Sequence, residues 1–226
     1  MKRFSARAAA AGLALATALF AAAAASGGEL KVLAPPDGAL LTGSKVTLIG
    51  SGSEGNLEVT LNGRKVAGIK QVGRAFTGPL ELVAGKNVLL VSSGPESRHS
   101  TFEYRAKATG AVYRYHDPVR DGECKACHPQ GVGRTSPVTE ARLCNSCHDP
   151  KTGFKRLHGP LGAGQCSTCH DPHGSSFPSF LIMGVRALCV QCHAQSRSQT
   201  HIEKSGNKLC PECHNPHGSE KQFLLY

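Results

Sequence analysis

The sequence predicts two units of different class, an all-β sandwich over residues 26–106 and a loop-rich unit with short helices over 107–226. Three observations carry this. Residues 29–106 contain short, alternating apolar runs between turn residues and no cysteine. All ten cysteines fall between 124 and 213, in pairs of the form Cys-x-x-Cys followed directly by His. The second unit has few long apolar runs, so its own side chains cannot build a conventional core.

Residues 1–25 precede both units. Lys2, Arg3 and Arg7 are followed by an Ala/Leu run over 8–20 and an Ala-x-Ala site at 23–25, the layout of a secretory signal cleaved before Ser26. The run is Ala-rich and short for a bilayer span, no cysteine follows it to take a lipid, and no other segment is apolar enough to cross a membrane. The expectation is an exported chain, in the periplasm or at the cell surface, with no membrane span once the signal is removed.

In the first unit, β-rich runs stand at 30–33, 45–49, 57–61, 76–83, 87–91 and 101–104. Turn signals separate them: Pro35-Pro36-Asp37-Gly38, the glycines of 50–55, Asn62-Gly63 and Ala84-Gly85. Asn62-Gly63, between 57–61 and 64–66, predicts a hairpin. Six or seven strands in this length predict a small antiparallel sandwich. The run 59–66 (Val-Thr-Leu-Asn-Gly-Arg-Lys-Val) and the later Leu-Val-Ala-Gly-Lys-Asn-Val of 82–88 resemble immunoglobulin-like modules of bacterial secreted proteins. Antibody-type cysteines and a core tryptophan are lacking. No Ser/His/Asp cluster or carboxylate pair suggests catalysis here, so the unit reads as a spacer or docking module. His99 reads as a solvated surface residue.

The second unit carries five motifs: Cys124, Cys127 and His128; Cys144, Cys147 and His148; Cys166, Cys169 and His170; Cys189, Cys192 and His193; and Cys210, Cys213 and His214. Two thiols three residues apart reach the two vinyl groups of one haem, and the next histidine binds its iron, so Cys-x-x-Cys-His reads as c-type haem attachment. Zinc ribbons use Cys-x-x-Cys in twos and need no adjacent His; five motifs that leave no cysteine over argue against zinc and against thiol exchange. The cofactor expectation is five covalently attached haems c. Porphyrins would supply the apolar mass that packs this unit, which is expected to be unfolded without them.

Charge restricts the partners. The chain has 26 basic and 16 acidic residues, and 23 basic residues remain when the signal is set aside. The propionates of five haems add about five net negative charges and cancel most of this excess. The basic residues are scattered and few aromatics accompany them, which excludes a nucleic-acid interface.

Of eleven histidines, five belong to motifs and six remain: His99, His116, His158, His173, His201 and His217. With His99 set aside, one is left for the second face of each iron, which predicts bis-histidine haems; Met183 is the only methionine after the signal, so Met/His ligation is restricted to one haem. His116, His158 and His201 lie eight, eight and nine residues before a motif, and His173 and His217 each follow a motif histidine by three, within Pro-His-Gly-Ser. A histidine so placed cannot wrap to the opposite face of the same porphyrin, and it is expected to serve a neighbouring haem.

The segment is a repeat. Its complete unit runs from His158 through motif three, His173-Gly-Ser and Phe180-Leu181 to motif four; the first unit has Pro129-Gln130-Gly131 where the extra histidine would stand, and the third, with His217-Gly-Ser and Phe223-Leu224, has no second motif. Over 166–193 these features resemble the doubled CXXCH family of multihaem cytochromes. The resemblance implies a haem-bound electron carrier of the cell envelope, in respiratory chains using metals, sulfur or nitrogen compounds. If Pro-His-Gly-Ser histidines serve the following motif, His217 either folds back to an earlier haem or ligates a haem of the next subunit, which would build filaments.

The full reading is an all-β immunoglobulin-like sandwich followed by a loop-rich multihaem domain with short helices packed around stacked haems. Three functions are weighed. One is an electron carrier, not an enzyme, working with redox partner proteins such as other multihaem cytochromes. Another is a multihaem reductase, which needs one open iron. The last is a subunit of a filament or outer-membrane assembly.

Overall fold

The structure, a computed structural model, describes residues 29–52, 54–131, 138–193 and 199–226; the predicted signal over 1–25 and its cleavage point lie outside the described residues. Strands with one apolar face must bury it against another sheet. Nine strands do so: β1 Lys31–Ala34, β2 Leu40–Leu41, β3 Lys45–Ser51, β4 Leu57–Leu61, β5 Arg64–Lys65, β6 Lys70–Val72, β7 Ala75–Glu81, β8 Gly85–Ser93 and β9 Glu96–Tyr104. They form two sheets, ordered β1-β3-β7-β6 and β2-β9-β8-β4-β5. Lettered A to G along the chain, with β2 and β5 as additional edge strands, this is the A-B-E-D and G-F-C order of the immunoglobulin sandwich. One pair departs from the predicted antiparallel arrangement: β2 runs parallel to β9, Leu40 opposite Glu103.

Leu48, Phe76 and Leu80 of one sheet meet Val59, Leu61, Leu89, Val91 and Phe102 of the other in a single buried core. The predicted hairpin joins β4 to β5, with Asn62 and Gly63 both at positive φ, 53° and 76°, as a two-residue primed turn requires. Asn87, fully buried, satisfies both ends of its amide: it accepts from the Val83 amide at 3.0 Å and donates to the Val83 and Gly85 carbonyls at 2.8 and 3.0 Å. Asn87→Ala removes the three bonds that brace the turn at 83–85 and leaves a hole where the amide was buried, and we expect a loss of about 1–3 kcal/mol in chemical denaturation of the sandwich.

The core extends beyond residue 106. Tyr113 is 4% exposed within it, and Tyr115, edge-on to Tyr113, donates its hydroxyl to the Thr47 carbonyl at 2.8 Å. Burial raises the pKa of both phenols, so both stay protonated at neutral pH. The sandwich thereby holds β10, Arg114–Tyr115, the first strand of the cysteine-rich unit.

That unit is made of short pieces. Its helices are α1 Asp117–Arg120, α2 Glu140–Cys144, α3 Gly159–Gly162, α4 Val185–His193 and α5 Gln199–Ser205, with strands β11 Arg156–Leu157, β12 Gly174–Ser175 and β13 Gly218–Ser219. Among its described residues after Tyr115, only Gly174, Ser175, Gly218 and Ser219 are buried, so no apolar side-chain core exists there. No described helix is long and apolar enough to cross a membrane.

Candidate haem-binding site

On a helical turn, residues i, i+3 and i+4 share one face. Cys-x-x-Cys-His wound this way presents two thiols and an imidazole to the same side. Motifs one, three and five begin in 3-10 turns, Cys124–Ala126, Cys166–Thr168 and Cys210–Glu212, while motif two starts at the end of α2 and motif four lies in α4. The amides of His128, His148, His170 and His214 donate to the carbonyl of the first cysteine of their motif at 2.9–3.0 Å, closing the turn.

Each motif histidine faces one histidine from elsewhere in the chain. The ring centres are 6.4 Å apart for His128 and His173, 5.9 Å for His148 and His116, 6.2 Å for His170 and His217, 5.9 Å for His193 and His158, and 6.0 Å for His214 and His201. The first four pairs are within 25° of parallel, whereas His201 and His214 are inclined by 51°. With metal–nitrogen bonds of about 2.0–2.1 Å and about 1.1 Å from nitrogen to ring centre, imidazoles on opposite sides of one metal have centres about 6.2–6.4 Å apart. The observed spacings, 5.9–6.4 Å, lie within about 0.3 Å of this range, so each pair has room for one iron between its rings. His99 stands exposed on β9 outside these pairs, and the Met183 sulfur accepts a hydrogen bond from the Gln191 side chain.

The pairing follows from strand ribbons between repeats. β10 pairs with β12 and β11 with β13, and the His116 and His158 amides donate to the His173 and His217 carbonyls at 3.0 Å. These ribbons need glycine. A Cβ on Gly174 would stand 2.5 Å from the Arg114 carbonyl oxygen, and one on Gly218 would stand 2.7 Å from that of Arg156. Pro-His-Gly-Ser thus serves the first motif of the preceding unit rather than the following motif: His173 reaches back to motif one and His217 to motif three. His116 and His158 face the second motif of their own unit.

The other residues of this element position the rings. Asp171 and Asn215 accept from the His173 and His217 amides at 2.8 and 3.0 Å. Burial acts to raise the Asp171 pKa, but hydrogen bonds from the His173 ring and amide and the Gly174 amide outweigh it and hold the carboxyl below its usual value. The Pro172 and Pro216 carbonyls accept from the His116 and His158 rings. Ser175 and Ser219, both buried, donate to the Leu181 and Leu225 carbonyls and accept from the amides of Phe177 and Lys221. They tie down a turn in which Ser179 and Phe180, and likewise Phe223 and Leu224, have positive φ of 54–57°, at about 1–2 kcal/mol per residue.

That turn sends the Ser179 and Phe223 carbonyls to Nδ1 of His170 and His214, at 2.8 and 2.7 Å. With Nδ1–H donating there, Nε2 keeps its lone pair for a metal. Sequence comparison of the repeats sets Phe180-Leu181 against Phe223-Leu224, whereas these carbonyls align Ser179 with Phe223. Motif one, lacking Pro-His-Gly-Ser, leaves the buried His128 Nδ1 without a hydrogen-bond partner. For His116, His128, His158 and His217, burial first and the facing imidazole second lower the pKa, favouring the neutral ring that ligates metal.

The cysteines report the order of the motifs in space. None of the ten is in a disulfide. Cys127 is within electrostatic reach of Cys147, Cys144 hydrogen-bonds Cys166, Cys169 is within reach of Cys192, and Cys189 hydrogen-bonds Cys210. Motif one therefore adjoins two, two adjoins three, three adjoins four and four adjoins five. Second cysteines meet at the first and third junctions, first cysteines at the others. Cys213, the second cysteine of motif five, takes no part in these four junctions and stands exposed at the end of the row. Backbone bonds fix it there: its amide donates to the Cys210 carbonyl and its carbonyl accepts from the Tyr226 amide, both at 3.2 Å. Burial, then the adjacent thiol, pushes Cys144 and Cys189 up to about 11. Among the described residues no three His, Cys, Asp or Glu side chains gather to hold a bare metal ion.

Tertiary structure gives roles that the sequence reading did not assign to Ser175 and Ser219 and to the turns at Ser179 and Phe223, and it adds the Tyr113–Tyr115 anchor. The recurring Gly-Ser after each extra histidine was the available signal for the serines.

No curated protein matches the chain. Among solved structures, likeness is found to an FMN-binding β-glucuronidase from Facaelibacterium prausnitzii L2-6, at 19% identity and TM-score 0.31, covering 35% of this chain and 12% of that one. A protein domain named IG27 matches at 11% identity and TM-score 0.29, covering 35% of this chain and 97% of that one. Domains 5–6 of the S-layer protein SbsC match at 13% identity and TM-score 0.30, covering 40% and 49%. At such scores the likeness carries nothing further, and the sandwich stands on its own strand order. Residues 158–198 match the family model described as the doubled CXXCH motif, which supports a c-type-cytochrome-like region with covalent haem binding and an electron-transfer role.

Proposed function

We propose that this protein is an exported pentahaem c-type cytochrome that carries electrons along five covalently attached, bis-histidine haems. The observation that carries the reading is the opposition of all five motif histidines to five further histidines at 5.9–6.4 Å. When bound, the haems supply the redox levels between which electrons tunnel. The chain's residues provide the rest: thiols that would fix each porphyrin edge, imidazoles oriented by backbone carbonyls, and backbone ribbons that hold successive repeats together. Electrons would run in sequence order, with motifs one and five as the ends and redox proteins, such as other multihaem cytochromes, as partners in anaerobic or extracellular respiration.

Export rests on the signal-like residues 1–25 and on the attachment of c-type haem outside the cytoplasmic membrane. His217 faces His170 of its own chain, so the reading needs no ligand from a second subunit.

Haem quantification and intact mass of the purified holoprotein test this reading. We expect five haems per chain, no thiol open to a maleimide, and a low-spin ferric spectrum. Fewer haems, or titratable cysteines, would overturn it.

A further inference from the structure

The two Pro-His-Gly-Ser elements share their backbone contacts and differ in one charge. Asp171 and Asn215 occupy the same place, directly after a motif histidine and two residues before the histidine that faces another motif. The amide of each donates to the turn, to the Phe180 and Leu224 carbonyls at 2.8 and 2.7 Å. The side-chain oxygen of each accepts from the His173 or His217 amide, at 2.8 and 3.0 Å. Both side chains are half-buried. An aspartate is ionised at neutral pH, and the pKa of this one is held lower still. Its Oδ1 lies 3.5 Å from Nδ1 of the His173 ring, and that ring stands 6.4 Å from His128. The two side chains are 35% and 26% exposed, so water screens the contact only in part. Asn215 brings no charge to His217, and a charged group within electrostatic reach of that ring is a cation, Lys151.

From this contrast we infer that Asp171 is a tuning residue for electron transfer: acting through His173, it lowers the reduction potential of the haem of motif one, and Asn215 is its neutral counterpart at motif three. The inference rests on the pentahaem reading above. A carboxylate beside Nδ1–H draws the ring proton toward itself and leaves more electron density on Nε2, the nitrogen that would face iron. Its negative charge also favours the more positive, ferric state. In the step concerned, ferric iron takes one electron from a redox partner and becomes ferrous. No bond forms or breaks, and Asp171 keeps its charge. Lowering the potential at this end of the row favours passage of the electron onward to motif two.

The test is a redox titration of the full-length holoprotein at neutral pH, followed through the haem methyl resonances in NMR, with wild type, Asp171→Asn and Asn215→Asp compared. The haems of motifs one and three are identified by the resonances that His173→Ala and His217→Ala displace. Each exchange swaps in the residue that the other element already carries, so the backbone contacts are kept and five low-spin haems should remain. Asp171→Asn should make the haem of motif one easier to reduce by about tenfold in equilibrium constant, equivalent to about 59 mV for one electron, with smaller shifts elsewhere. Asn215→Asp should make the haem of motif three harder to reduce. An unmoved or lowered midpoint at motif one in Asp171→Asn overturns the inference, and so does an unmoved or raised midpoint at motif three in Asn215→Asp. Loss of low-spin character in Asp171→Asn also overturns it, because Asp171 would then place the ring rather than tune it. Fewer than five reducible haems in the wild type would instead overturn the pentahaem reading, and this inference with it.

Discussion

Replacing His217 by alanine is expected to open the haem of motif three, although His217 lies next to motif five in sequence. Its ring stands 6.2 Å from that of His170, and the His158 amide holds its carbonyl at 3.0 Å. The substitution removes one of the two histidines that would hold the haem of motif three, while leaving Gly218 and Ser219, and hence the ribbon with β11, in place. One-fifth of the haem should become high-spin in the electron paramagnetic resonance spectrum of the oxidised protein, with the other four unchanged. Assignment to motif three is checked by combining His217→Ala with His173→Ala, which opens motif one: two high-spin haems are expected, one from each. If His217→Ala left all five haems low-spin, the cross-repeat pairing would be wrong. On the pentahaem reading, loss of this histidine should also slow electron passage between motifs one and five, as read by stopped-flow reduction.

Gly174→Ala is expected to be the most damaging single-methyl change in the cysteine-rich unit. Its Cβ would lie 2.5 Å from the Arg114 carbonyl oxygen and 2.8 Å from the Tyr113 hydroxyl, both held by the sandwich. Backbone on one side and a buried phenol on the other leave little room to yield, so the β10·β12 ribbon must separate. Overpacking of this kind costs about 1–3 kcal/mol. The functional cost is larger, because this one ribbon positions His116 for motif two and His173 for motif one. We expect two haems to lose low-spin character, against one for either histidine variant alone. A thermal melt of the sandwich should move little, since β1–β9 retain their own pairing. Retention of five low-spin haems in Gly174→Ala would show that the ribbon does not position these ligands.

The candidate haem-attachment residues were legible in the chain before any fold was known. Cys-x-x-Cys-His is a local code: one helical turn suffices to place two thiols and an imidazole together, so spacing alone reveals it. The strands of the sandwich were readable for a similar reason, since alternation reports a buried face and Asn62-Gly63 reports its turn. The strand order was not, nor was the parallel β2·β9 edge, because both depend on partners far away in sequence.

Tertiary structure alone decided which histidine meets which motif. Proximity in sequence was misleading here: His173 is three residues from His170 yet faces His128, and His116, eight residues before Cys124, faces His148. The deciding interactions are two-residue ribbons between repeats, made by backbone groups and by glycines that let them approach. Such pairing leaves only Gly-Ser as its mark in the sequence. His201, which lies outside both ribbons, stands nine residues before its motif against eight for His116 and His158, and its ring is 51° from parallel to that of His214. Composition and spacing determined that there are ten candidate iron ligands; long-range backbone pairing determined how they are matched, because register between distant strands is a property of the fold and not of any local stretch.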